Sequence, residues 1–180
     1  PLPTPSPAFS EKSMVFRDNI KKDEAIKMAT RILSGYQPKK EDVTAGWKSP
    51  LLSETDTFGE EAARYGIDPA ILPLLAISET QAMRPLASGT SKNNPFNAMY
   101  PGTQKLYPYD NINEAIRQYS SGIAGPDVDS SGRGYERYRQ FKNIPKNINL
   151  GDFIRKYQNP TDNPEQQIQT LIAVAKQLGL

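Results

Sequence analysis

A chain of 180 residues, 37% of them apolar, is long enough for one domain with a core, and its 22 basic and 20 acidic side chains leave a net charge of only +2. That balance is too even for a protein that grips nucleic acid by neutralising many phosphates, so no nucleic-acid partner is expected. The absence of both Cys and His excludes Cys-His and Ser-His-Asp nucleophiles and every Cys/His zinc site; carboxylate and tyrosine chemistry remain, with no metal or cofactor expected.

Pro1, Pro3, Pro5 and Pro7 are interleaved with Thr4 and Ser6, so residues 1–20 read as an extended linker, with a signal sequence, membrane anchor or larger assembly expected upstream. Residues 21–49 read as an accessory helical segment. Its helix is placed from about Asp23 to Ser34, with Ile26, Ala29, Ile32 and Leu33 on one face and Gly35 at its end. The main domain is assigned to residues 50–180 and should be mostly α, because apolar spacings of three and four dominate. A helix leads through Glu60, Glu61, Ala62 and Ala63 to Tyr65 and stops at Gly66; Thr57 and Glu60 have capping-box spacing.

The next helix is the informative one. Asp68 reads as its N-cap and Pro69 as its first residue, followed by the apolar run Ile71 to Ile77, in which Pro73 bends the first turns or moves the start downstream. Leu72, Leu75, Ala76 and Glu79 fall at i, i+3, i+4 and i+7, so a carboxylate projects from an apolar stripe. Such a group either reaches past the core to water or to Arg84, or is partly buried. In the second case its charged form is disfavoured, and it can donate a proton to a leaving oxygen.

A polar loop follows, with Asn93, Asn94, Phe96 and Asn97, and then a stretch holding Tyr100, Tyr107 and Tyr109. Amides beside aromatic rings suit a saccharide groove, and the same residues also build turns, with Asn97 able to take a left-handed conformation. A second carboxylate is sought in Asp110, Asp127 and Asp129. Asp110 lies at a helix entry where Asn111 and Glu114 have capping-box spacing, whereas Asp127 and Asp129 lie in a Gly- and Ser-bearing loop ahead of Tyr135 and Tyr138. The last helix has Asn163 as N-cap, Pro164 at its first position and Gly179 just past its end.

In their order, these segments resemble the glucosaminidase and lytic-transglycosylase branch of the lysozyme-like fold. The likeness covers Pro50 to Leu180. Tyr65 to Pro69 with Leu74 to Thr80 resembles the entry to the catalytic helix and its Glu, and Asn93-Asn94-Pro95-Phe96 the turn lining the cleft. Tyr109 to Ile116 is similar to the following helix entry, and Tyr157 with Pro160 to the closing segment. Gln81 and Asn97 stand where the family usually has Gly.

The resemblance implies a lysozyme-like fold with a catalytic helix ending on Glu79, a loop-rich small lobe, and cleavage of peptidoglycan glycan strands outside the cytoplasm by a monomer. Glu79 would be the general acid and Tyr135 the tyrosine that orients the sugar, while Gln81, Asn93, Asn94, Phe96, Tyr100 and Tyr109 would line the substrate site. Hydrolysis, transglycosylation to a 1,6-anhydro product, and an inactive glycan-binding scaffold are all compatible with these residues.

Overall fold

The structure is a computed structural model, and it describes residues 8–38, 46–83, 93–98, 105–124, 143–157 and 163–180. Among these the chain is mostly helical, with α1 Lys22–Gly35, α2 Thr55–Tyr65, α3 Ile71–Thr80, α4 Ile112–Ala124, α5 Leu150–Tyr157 and α6 Pro164–Gln177. A short 3-10 turn, Pro50–Glu54, enters α2, with the Ser49 side chain accepting from the Leu51 N–H at its start.

At the centre lies α3. Ile71 to Ile77 are all buried, as is Thr80, so this helix is enclosed on every side rather than amphipathic. It packs against α1, α2 and α6, while α2 packs on α1 and α4, and α5 on α6. One continuous apolar cluster joins all six helices, from Ala29 and Ile32 on α1 to Leu171 and Ala175 on α6.

The start of α3 differs from the sequence reading. The helix begins at Ile71, and Asp68 forms a turn ahead of it, its Oδ1 accepting from the Ala70 N–H at 3.0 Å and its carbonyl from Ile71 at 2.9 Å. Pro73 therefore falls in the first turn, where a missing N–H leaves no helical bond unmade. The expected Thr57 and Glu60 capping box is absent, because the Thr57 hydroxyl turns to Asn113 on the neighbouring α4. By contrast, Asn163 caps α6 as expected through Gln166 N–H at 3.1 Å, and Gly66 ends α2 in the left-handed region at φ 65°.

Residues 8–20, assigned to the linker, are part of the fold. Val15 is fully buried, its N–H donating to Ile148 and its carbonyl accepting from Asp68. Isolated bridges pair Met14 with Asn149 and Phe16 with Ile67. The helix α1 is likewise no accessory: Ala25, Ala29, Ile32 and Leu33 are buried, and Gly59 of α2 lies directly against Ile26. Val15 and Phe16, with Ala29, Ile32 and Leu33 of α1, thus belong to the same core cluster as the later helices. No helix among the described residues is long and apolar enough to cross a membrane.

Candidate active site

Burial of α3 makes its C-terminal end conspicuous, because after seven buried residues Ser78 and Glu79 are half-buried and open to one side. They face the first two turns of α6. Between the two helices lies a cavity of about 280 Å³ lined by Ser78, Glu79, Asn163, Gln166, Gln167 and Thr170. The Gln167 Nε2 donates to Glu79 Oε1, joining groups 88 positions apart in the chain.

The polar lining has a definite sense. Ser78 spends its hydroxyl proton on the Leu75 carbonyl at 3.0 Å and Thr170 spends its own on the Gln166 carbonyl at 2.9 Å, so both oxygens face the cavity as acceptors. The Asn163 Oδ1 is committed to the α6 cap, which leaves its Nδ2 as a donor. Apart from Glu79, none of the lining residues is charged. Such a wall suits a neutral ligand bearing hydroxyl and amide groups.

The helix end carrying Glu79 is held by an unusual turn. Gln81, Ala82 and Met83 are all left-handed, at φ 52°, 56° and 61°, a conformation costing about 1–2 kcal/mol per non-Gly residue. Hydrogen bonds hold each part of this turn: the Gln81 N–H caps Ile77, the Ala82 carbonyl accepts from the Ser49 hydroxyl at 2.7 Å, and the Met83 N–H donates to Thr80 Oγ1 at 2.9 Å. Strain held in place by its surroundings is a recurring property of functional sites. It also explains Gln81, which takes the left-handed position that a Gly fills more cheaply. Gln81→Gly is expected to stabilise the protein by about 1 kcal/mol, seen as a rise of roughly 2–4 °C in the melting midpoint by circular dichroism.

The Asn-rich turn serves Glu79 from behind. Asn97, left-handed at φ 49°, donates through Nδ2 to the Glu79 carbonyl at 2.6 Å, and the hydroxyl of buried Thr80 lies between the Ala76 carbonyl at 2.8 Å and the Pro95 carbonyl at 3.2 Å. Asn94 is 1% exposed and uses its side chain on Ala98 N–H, Ala98 carbonyl and Tyr107 carbonyl. Asn93 donates to the carbonyls of Tyr109 and Asp110.

Several expected sugar contacts are therefore corrected to scaffold. Asn93 and Asn94 have their amide donors spent on backbone. Phe96 is buried, stacked on Tyr119 with centroids 4.0 Å apart, and Tyr109 is buried beside Tyr107. Gln81 is exposed, though it does not line the cavity. Asp110, the candidate second carboxylate, sits at the entry to α4 away from the cavity lining; its N–H donates to Glu114 Oε2 at 3.2 Å, and Asn111 caps Glu114 at 2.8 Å. Tyr100, Asp127, Asp129 and Tyr135 lie outside the described residues.

The sequence reading missed the α6 wall altogether and also one acid. Phe58, Glu61, Ala62 and Tyr65 repeat the spacing that singled out Glu79, and Glu61 is fully buried. Its carboxylate lies 3.6 Å from Arg64 and 3.9 Å from Arg117, and it holds the Arg64 guanidinium above its usual range. Enclosed and ion-paired, Glu61 ties α2 to α4 with no access for a substrate.

Comparison with known protein families, with curated proteins and with solved structures returns no match to this chain.

Proposed function

We propose that the protein cleaves the glycan strands of peptidoglycan, with Glu79 as the general acid, on a lysozyme-like arrangement of helices. The observation that carries this reading is the position of Glu79: a half-buried carboxyl just past the buried apolar run Ile71 to Ile77, opening on a cavity of amides and hydroxyls. In a composition without His or Cys, a carboxyl is the natural proton donor. Glu79 would protonate the bridging oxygen of a β-1,4 link between N-acetylmuramic acid and N-acetylglucosamine. The acceptors Ser78 and Thr170 and the Asn163 amide would take the hydroxyl and acetamido groups of the neighbouring sugar. Such a polymer places the working protein outside the cytoplasm.

The test is direct. Incubated with purified peptidoglycan, the full chain is expected to release soluble muropeptides whose masses identify the bond broken. A reducing terminus marks hydrolysis, and a terminus lighter by one water marks attack by the sugar's own 6-hydroxyl. Intact glycan after prolonged incubation, with glycan still bound, would instead identify a binding scaffold.

A further inference from the structure

We propose that Gln167 is a positioning residue that holds Glu79 in both of its protonation states, through a side-chain amide able to reverse. This inference rests on the reading of Glu79 as an acid, since an acid catalyst must exist protonated before the bond breaks and ionised after it.

The amide has two ends and only one is engaged. Nε2 donates to Glu79 Oε1, the arrangement that suits a carboxylate. The other end, Gln167 Oε1, is a buried oxygen with no hydrogen-bond partner among the described residues, although buried polar atoms are nearly always paired. Nothing there locks the amide as a donor. When Glu79 gains a proton on the oxygen facing Gln167, an N–H opposite it becomes a clash, and a half-turn of the amide presents an oxygen that accepts the new O–H. A residue with a single polarity, such as Lys or Arg, would favour the ionised form alone.

Gln167 is well placed for this exchange. It lies in the second turn of α6, one turn beyond the Asn163 cap and beside buried Ile168 and Leu171, so the backbone behind it is fixed while the side chain lines the cavity. Gln166 and Thr170 flank it at the cavity wall.

The experiment is a pH titration of the full chain by nuclear magnetic resonance, following the Glu79 side-chain carboxyl carbon and the Gln167 Nε2 group together. The expected result is a common midpoint for both signals, with the Gln167 change abolished in Glu79→Gln. A Gln167 signal that stays flat while Glu79 titrates would overturn the proposal. This reading needs no turnover, so it stands or falls separately from the glycan assay. In active protein, Gln167→Met is expected to lower kcat about tenfold with KM changed less than about twofold, because positioning acts on the reacting state rather than on binding. A Gln167→Met protein that melts lower yet keeps its kcat would show a structural role only and also overturn the proposal.

Discussion

Glu79→Gln is expected to slow the clearing of purified peptidoglycan by roughly 10²–10⁴-fold, the range a positioned general acid contributes. The fold should hardly register the change. Helix α3 is fixed by its buried residues Ile71 to Ile77 and by the Asn97 amide, which binds the backbone carbonyl of residue 79 and not its side chain. Gln also matches Glu in shape and can still meet Gln167. A melting midpoint within about 2 °C of wild type, together with lost turbidity clearance, is therefore the combined outcome predicted. Wild-type clearance by the variant would refute the acid assignment.

Gly59→Ala carries the largest expected effect on stability. A methyl group at this position would stand 2.6 Å from the Ile26 backbone nitrogen and 2.9 Å from its Cα, and backbone on a packed helix cannot give way as a side-chain tip can. Ala gains up to about 1 kcal/mol of helix propensity, but separating α1 from α2 costs more. A net loss of about 2–3 kcal/mol is expected, which lowers the melting midpoint by roughly 4–12 °C. Chemical denaturation followed by circular dichroism measures it. An unchanged midpoint would mean that α1 is not seated against α2 as the structure has it.

Helices were legible wherever their ends carried local chemistry. Asn163 and Pro164 marked the start of α6, Gly66 the end of α2, and the Ile26 to Leu33 spacing gave α1 to within a residue at either end. The segment holding Val15 and Phe16 was not legible, because its fixed position comes from isolated pairings with Ile67 and Asn149 and not from any periodicity of its own. The site divided in the same way. Glu79 stood out because a carboxylate broke an apolar pattern, yet the same pattern surrounds Glu61, where Arg64 and Arg117 neutralise it; spacing cannot tell an acid at a cavity wall from one fully enclosed. Spacing likewise could not show that the Asn94 amide would be spent on backbone carbonyls or that Phe96 would be buried against Tyr119, since burial decides both. Gln167 carried no signal at all. It is an ordinary polar helix residue until the fold sets it against Glu79.

The pairing of Glu79 with Gln167 across 88 positions has a consequence for how the site comes into being. Loops that long close late in folding, because the entropy of joining their ends is lost before any contact repays it. A nascent chain can assemble α1, α2 and α3 while Glu79 still faces water, and the cavity gains its second wall only when α6 docks. Under the proposed function, α1 to α3 alone would carry the acid without its facing wall, and competence would wait on the docking of α6.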